Sequence, residues 1–143
     1  MICQCGEVLL NKLIEVKYIS AKKGKGVFAK KNIRKGTKIN IAHIILISNK
    51  EWDLIEDTVL SNYSYEWDDP NCKGEYESAI SLSASQFINH SYNPNVKYVY
   101  DYKNKCIEHI TIRDISKDEE ITVNYNGEPF NKSPVWFEVE DVE

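Results

Sequence analysis

Asn89 and His90 place an amide and an imidazole side by side, and each group can donate and accept hydrogen bonds. A few residues further on, Pro94 removes a backbone donor, fixes its own φ and biases Asn93 towards an extended conformation. Residues 89–95 are therefore predicted to form a rigid polar loop that is suited to holding a ligand. An ordinary turn between strands, rich in Asn, Ser and Pro, is the alternative interpretation.

A second candidate for ligand binding is the pair of glycines at Gly24 and Gly26. Because glycine lacks Cβ, the backbone at these positions can approach a ligand more closely than any other residue would allow. The same spacing also occurs in ordinary hairpin turns, so the pair alone does not choose between the two interpretations. We expect a tight basic turn at residues 22–26.

The elements that would position these residues are mostly strands, predicted from alternating or β-branched segments. The predicted strands are 13–20, 27–29, 37–47, 63–67, 78–83, 96–102, 106–113 and 121–125. Ser48 and Glu51 fit a capping box, which predicts that the best helix of the chain runs from 49 to 61. His43 and His109 fall within predicted strands, and we interpret them as hydrogen-bonded sheet residues rather than metal ligands.

Two segments, 32–39 and 114–121, share the pattern polar-Ile-x-Lys-turn-x-x-Ile. Each copy predicts the end of a strand, a tight turn and the start of a new strand. Because two copies are too few for a solenoid, we expect two similar turns on opposite halves of one β-rich domain.

Composition restricts the class of protein. With 143 residues the chain is expected to form one domain, and its net charge of −4 argues against a general nucleic-acid binder. An acidic surface instead suits a basic partner such as a lysine-rich peptide. No run approaches the ~20 apolar residues of a membrane span, and the N-terminus lacks the apolar stretch of a signal peptide. We therefore expect a soluble intracellular protein, cytoplasmic or nuclear.

The cysteines are Cys3, Cys5, Cys72 and Cys106, at irregular spacings. Cys3 and Cys5 form a C-x-C pair, but no second pair follows to complete a tetrahedral zinc site. We expect four reduced thiols and no bound metal.

Five short motifs occur in an order that resembles the SET-domain protein lysine methyltransferases. They are Gly-Lys-Gly-Val-Phe-Ala at 24–29, Ile-Arg-Lys-Gly at 33–36, Phe-Ile-Asn-His-Ser-x-x-Pro-Asn at 87–95, Ile-Ser-Lys-Asp-Glu-Glu-Ile at 115–121 and Asn-Tyr at 124–125. Each motif alone is weak, but their combination covers nearly the whole chain and is strong.

The resemblance implies a mainly β fold of the SET-domain β-clip type. This fold has several short curved sheets, one or two short helices and a C-terminal pseudoknot, in which the chain threads beneath the loop of residues 89–95. Such threading is a rare exception to unthreaded connectivity. Residues 1–143 are expected to form a single SET-like domain, with a core at 11–126 and a channel-closing segment at 127–143.

The resemblance also implies an S-adenosylmethionine-dependent protein-lysine N-methyltransferase. The residues expected to bind the cofactor, S-adenosylmethionine, are Lys25, Gly26, Asn89, His90 and Tyr125. The acceptor lysine is expected to enter from the opposite face through an aromatic channel. Transfer of a methyl group to an uncharged amine depends on alignment more than on acid or base strength. Tyr125 is the expected catalytic residue, because its hydroxyl would orient the amine, although a phenol with a pKa of about 10 is a poor base.

The chain departs from the family pattern in four places. Gln86 stands where many members have Arg, and Asn124 replaces the common Asp before the catalytic Tyr. Val123 occupies a channel position where a Phe or Tyr often limits how many methyl groups are added, which leaves the degree of methylation open. The cysteine-rich zinc segment that follows the domain in many members is missing. Trp136 and Phe137 are therefore expected to form the aromatic wall of the lysine channel.

The expected partner is a protein substrate with an exposed lysine, and a histone-like basic tail is one candidate. Neither nucleic acid nor a membrane is expected to bind directly, and the oligomeric state is left open, a dimer included. Two alternatives remain. One is a catalytically silent SET-fold protein that binds a peptide or protein, against which the retained Asn89, His90 and Tyr125 argue. The other is a methyltransferase for a small amine or another protein nucleophile.

Overall fold

A computed structural model describes residues 11–139 of the chain. This part contains nine strands and one short α-helix, together with two 3₁₀ turns at Val59–Tyr63 and Ala84–Phe87. In chain order the elements are β1 (Ile14–Ser20), β2 (Gly24–Ala29), β3 (Lys38–Ser48), α1 (Asn49–Ile55), β4 (Ser64–Glu66), β5 (Tyr76–Ser81), β6 (Asn89–His90), β7 (Val96–Asp101), β8 (Cys106–Thr111) and β9 (Glu120–Val123). The predicted mainly β class is confirmed.

The strands form two sheets, and neither follows the order of the chain. The first sheet has the order β1-β2-β9-β6, and the second has the order β4-β5-β3-β8-β7. All pairs are antiparallel except β6 and β9, which run parallel. The pairing of β6 with β9 places residues near 90 beside residues near 123.

Two clusters of apolar side chains stabilise these sheets. The first packs against the four-stranded sheet and consists of Ile14, Val27, Ala29, Ile33, Ile39, Ile88, Val96, Ile115, Ile121 and Val123. The second lies against the five-stranded sheet and consists of Ala42, Trp67, Ala79 and Ile107. Tyr98 packs against both clusters, so it lies where the two sheets meet.

The two segments that share a sequence pattern pair with each other. Ile33 and Ile115 exchange two backbone hydrogen bonds, each 2.8 Å long. The polar residue that precedes each isoleucine, Asn32 or Asp114, accepts a hydrogen bond from a backbone N–H of the other copy, also at 2.8 Å. The expectation of two similar turns is confirmed, but they lie against one another rather than apart.

The helix is shorter than predicted. Its start is as expected, because the Ser48 hydroxyl accepts from the Glu51 N–H and the Glu51 carboxylate accepts from the Ser48 N–H. It ends at Ile55, and the Thr58 hydroxyl both donates to the Ile55 carbonyl and accepts from the N–H of Leu60 in a separate 3₁₀ turn. No residue of α1 is buried, so no packed face extends the helix towards residue 61.

Three further expectations are corrected. The basic turn lies at residues 21–23, and Gly24, with a φ of +69°, already begins β2. The strand predicted at 37–47 spans Lys38–Ser48, and alternation leaves Ile41 and Ile45 about half exposed, at 49% and 50%. The last strand ends at Val123, so Asn124 and Tyr125 follow it in a turn.

His109 in β8 is fully buried, yet neither of its ring nitrogens has a hydrogen-bond partner among the described residues. The expected position in a sheet is confirmed, since His109 lies opposite Asn40 and Tyr98, while the ring adds no hydrogen bond to another described residue. Burial lowers its pKa to about 4, which keeps the ring neutral at pH 7 and avoids a buried charge. Within residues 11–139, no helix has both the length and the apolar character needed to cross a membrane.

Candidate active site

The parallel pairing of β6 with β9 assembles the site. Asn89 lies opposite Thr122 and His90 opposite Val123, and the Ser91 N–H continues the pairing by donating to the Val123 carbonyl at 2.9 Å. These contacts fix the start of the polar loop beside the end of β9. They therefore bring residues 89–91 next to the turn that holds Tyr125.

Asn95 fixes the far end of the polar loop. Its side chain is 1% exposed, and its amide nitrogen donates to the Glu120 carbonyl at 2.7 Å. Its amide oxygen accepts from the Thr122 N–H at 2.9 Å. The loop is thus attached to β9 at both ends, and the buried Asn95 amide pairs with backbone groups of β9 that precede its pairing with β6.

His90 connects the loop to Tyr125 through its ring. Its Nδ1 accepts a hydrogen bond from the backbone N–H of Tyr125 at 3.1 Å, so the neutral ring carries its proton on Nε2. The ring packs edge-on against Tyr92, with centroids 4.5 Å apart, and against Tyr125, at 5.3 Å. Burial, followed by the nearby Lys132 charge, lowers the pKa of His90. The buried Nε2 has no partner among the described residues, which leaves one donor available.

Asn89 is oriented by two acceptors. Its amide nitrogen donates to the Glu120 carboxylate at 2.8 Å and to the Lys25 carbonyl at 3.2 Å. Because both acceptors face the nitrogen, the amide oxygen is left to accept from another group. Gly26 makes this arrangement possible: a Cβ there would lie 2.9 Å from the Glu120 Oε1 and 3.0 Å from the Asn89 nitrogen. The missing side chain at Gly26 therefore leaves room for the Asn89–Glu120 pair.

The Tyr125 hydroxyl is held in one orientation. It donates to the Ile88 carbonyl at 2.7 Å, which leaves its oxygen free to accept. Burial raises the pKa of Tyr125 to about 12, with smaller contributions from Tyr63 and Glu120. The hydroxyl is therefore neutral at physiological pH and can act as a hydrogen-bonding group but not as a base.

Two exposed aromatic side chains of the C-terminal segment cover Tyr125. Trp136 stacks on its ring with centroids 5.8 Å apart and planes 21° from parallel, and Phe137 packs edge-on at 6.0 Å. The segment is held mainly by hydrogen bonds between side chains and backbone. Asn124 donates to the Asn131 carbonyl at 2.6 Å, and Asn126 donates to the Ser133 carbonyl at 2.7 Å.

Tyr125 lies between two large cavities. The first is lined in part by Ile88, Tyr98 and Trp136, and the second in part by His90 and Ser91. Asn89, Tyr125 and Phe137 line both. Because Tyr125 lines both cavities, a molecule bound in either one can contact it.

Most of the predicted site residues come together here, with one exception. Lys25, Gly26, Asn89, His90 and Tyr125 are linked by the contacts above, and Trp136 and Phe137 pack on Tyr125. Val123, which was expected to line the channel, is 1% exposed and belongs to the first core cluster. It is absent from the lining of both cavities, because alternation in β9 directs Ile121 and Val123 into the core.

Sequence reasoning assigned no role to Glu120 or Tyr98. Glu120 belongs to the Glu-Glu-Ile motif, but its role depends on Asn89, which lies 31 positions away. Tyr98 belongs to a Tyr-x-Tyr-x-Tyr pattern that places three rings on one face of a strand, a signal that was available in the sequence.

No metal site is formed by the described residues. Within residues 11–139 there is no group of three or more His, Cys, Asp or Glu side chains that could hold an ion. Cys72 and Cys106 are free thiols. Cys3 and Cys5 lie outside the described residues, so the expectation for them stays a prediction.

Comparison with known proteins gives consistent matches. Residues 24–126 match the sequence profile of the SET domain. A curated relative from Schizosaccharomyces pombe, named histone-lysine N-methyltransferase, H3 lysine-37 specific, is 32% identical over 120 residues, which cover 83% of this chain and 74% of the relative. The crystal structure of a candidate histone methyltransferase from Plasmodium falciparum superposes with a TM-score of 0.59 at 27% identity, covering 81% of this chain and 95% of that one.

Proposed function

Since the chain belongs to the SET-domain family, we propose that it transfers a methyl group from S-adenosylmethionine to a lysine side chain of a protein. The observation that carries this proposal is the position of Tyr125 between two cavities, with a neutral hydroxyl held by the Ile88 carbonyl. The fission-yeast relative is named as a histone methyltransferase, which supports a histone-like basic protein as the substrate. An intracellular location, nuclear or cytoplasmic, would follow from such a substrate.

The lining of the second cavity fits S-adenosylmethionine. The free amide oxygen of Asn89, beside the Glu120 carboxylate, suits the ammonium group. The rings of Tyr92 and Phe137 offer apolar surface to the adenine. The buried Nε2–H of His90 has no acceptor among the described residues, and a bound ligand could supply one. When bound, S-adenosylmethionine would supply a methyl carbon activated by its attachment to a positive sulfur.

Residues of this chain would prepare the amine rather than deprotonate it. The Tyr125 oxygen can accept one N–H of a lysine amine, which orients the nitrogen lone pair away from the ring. Because the phenol remains neutral and its proton is held by the Ile88 carbonyl, the amine must lose its proton to solvent before it reacts. Trp136 and Phe137 would exclude water from this position and line the channel on one side.

We extend the proposal to the organisation of the chain. Residues 11–126 would form the core that binds the cofactor, and residues 127–143 would form the segment that closes the channel. This division is supported by the described part of the segment, which contacts the core through Tyr92 and through the amides of Asn124 and Asn126.

The proposal is tested by incubating the purified protein with radiolabelled S-adenosylmethionine and core histones, and by titrating the same preparation with the cofactor in a calorimeter. We expect saturable cofactor binding and label on lysine, identified by mass spectrometry. Cofactor binding with no label on histones or on the proteins of a cell lysate would contradict a transferase. Peptide binding without cofactor binding would instead indicate a silent SET-fold binding module.

A further inference from the structure

Three tyrosines line one wall of the first cavity and lead away from Tyr125. Tyr98, Tyr100 and Tyr102, named the tyrosine row, alternate along β7 and just beyond its end, so their rings lie on one face. The ring centroids are 5.7 Å apart between the first two and 5.5 Å apart between the last two. The row begins at the candidate active site, because the Tyr98 hydroxyl donates to the Tyr125 carbonyl at 3.4 Å.

Carboxylates surround the tyrosine row. Glu66 and Asp68 are exposed and line the same cavity. Burial raises the pKa of Tyr98 to about 12, and the carboxylates of Glu66 and Glu128 act in the same direction. Burial also raises the pKa of Tyr102, with a further contribution from Asp68. Negative groups therefore dominate the electrostatic surroundings of the row.

These carboxylates are available to a partner. Within residues 11–139, neither Glu66 nor Asp68 forms an ion pair with another residue. Of the lysines that line the first cavity, Lys22 and Lys23 also line the second, and the Lys25 ammonium lies over the Phe87 ring at 5.4 Å. Glu66 and Asp68 therefore face the first cavity without a lysine or arginine ion-pair partner within residues 11–139.

The first cavity is large enough for more than one side chain. Its volume is about 1350 Å³, which exceeds the roughly 300–1,000 Å³ typical of small-molecule pockets. An extended peptide advances by about 3.3 Å per residue. The three rings, which are spaced about 5.5 Å apart, therefore span about three residues of such a peptide.

We propose that the tyrosine row, with Glu66 and Asp68, binds an arginine that lies about two to four residues from the target lysine of the substrate. This inference rests on the proposed function and specifies its substrate. A guanidinium fits better than an ammonium, because its planar face packs on tyrosine rings while its edge pairs with a carboxylate. The negative charges of Glu66 and Asp68 favour a cationic side chain. The hydrogen bond from Tyr98 to Tyr125 makes the tyrosine row continuous with the candidate active site, which favours a residue of the same substrate.

The test uses short peptides that carry one lysine among alanines and glycines. A single arginine is moved from four positions before the lysine to four positions after it, and each peptide has a twin with citrulline, which keeps the shape but removes the charge. Methyl transfer gives kcat/KM, and fluorescence polarisation of labelled peptides gives affinity independently of chemistry. We expect an arginine two to four residues from the lysine, on one side, to raise kcat/KM and affinity about tenfold over citrulline.

Two double variants identify the residues responsible. In Glu66→Gln with Asp68→Asn, the difference between the arginine and citrulline peptides should disappear. The matched control is Glu56→Gln with Asp57→Asn, which neutralises two exposed carboxylates that line neither cavity and should keep the tenfold preference. Both variants are compared by melting temperature to confirm that they fold.

The outcomes separate this inference from the proposed function. Equal kcat/KM and equal affinity for all arginine and citrulline peptides would overturn the inference and leave the transferase intact. A preference that survives in the Glu66 and Asp68 double variant would also overturn it. If no peptide is methylated, the affinities alone decide whether the tyrosine row binds arginine, and the proposed function fails only if core histones and lysate proteins also stay unlabelled.

Discussion

The two sides of Tyr125 are built in different ways. On one side, the polar loop at 89–95 is attached to β9 by parallel backbone pairing and by a buried amide. On the other side, the C-terminal segment carries Trp136, which is 66% exposed, and is held mainly by side-chain hydrogen bonds to backbone. We infer that the loop side is part of the folding core, and that the C-terminal side can be changed without unfolding the domain.

The largest effect is expected from removing residues 134–143. Without Trp136 and Phe137 the amine position is open to water, so methyl transfer should fall to background. Cofactor affinity should fall less, although the Phe137 ring also lines the second cavity, and melting temperature should change least. Transfer, calorimetric titration and thermal unfolding on one preparation measure all three. Near-normal turnover in the truncated protein would show that something else closes the channel, for example a second subunit.

The opposite pattern is expected on the loop side. Asn95→Ala leaves the partly buried Glu120 carbonyl and Thr122 N–H without their side-chain partner, which should cost about 3 kcal/mol of unfolding free energy. Chemical denaturation measures this loss. Asn93→Ala is the matched control, since Asn93 is exposed and its side chain makes no hydrogen bond to another described residue. Equal stability of the two variants would contradict the structural role of the loop.

A smaller and more specific effect is expected from Asn89→Ala. The half-buried side chain contributes to binding through its free oxygen, so its loss should weaken cofactor affinity by about 1.5–3 kcal/mol with little change in melting temperature. Calorimetric titration with S-adenosylhomocysteine measures the affinity without any transfer. An unchanged affinity in a folded Asn89→Ala protein would remove Asn89 from the site.

The smallest effect is a pH dependence that arises where the two sides meet. Because its folded pKa is lowered, His90 binds fewer protons in the native state, so its contribution to stability is present above about pH 6.5 and decreases as the pH falls below that value. Protonation would also turn Nδ1 into a donor and break the bond from the Tyr125 N–H. NMR titration of the His90 ring should give a pKa below 6.5; a higher value would contradict the assigned hydrogen bond.

Short sequence patterns correctly predicted the structural features that depend only on residues close together in the sequence. The capping box placed the start of α1 at Asn49, because its hydrogen bonds form between Ser48 and Glu51 alone. The repeated pattern predicted two similar turns, since each turn is closed by a local backbone hydrogen bond, from Thr37 to Arg34 and from Glu119 to Ser116. The end of α1 was missed because it depends on packing, and a helix with no buried residue has nothing to extend it.

Contacts between segments that are far apart in the sequence were harder to predict. The resemblance brought Asn89, His90 and Tyr125 to one site, but nothing in the sequence showed that Glu120 would orient the Asn89 amide. For Val123 the family pattern placed the side chain in the channel, whereas alternation along the short strand β9 buries Val123 together with Ile121. Both side chains belong to the first core cluster.

The central claim, that the Tyr125 hydroxyl orients the amine, is tested most directly by Tyr125→Phe. This variant keeps the ring and its packing but removes the group that donates to the Ile88 carbonyl. We predict that kcat falls by roughly 30- to 1,000-fold, or about 2–4 kcal/mol, with little change in cofactor affinity or melting temperature. A folded Tyr125→Phe protein with full activity would contradict the claim.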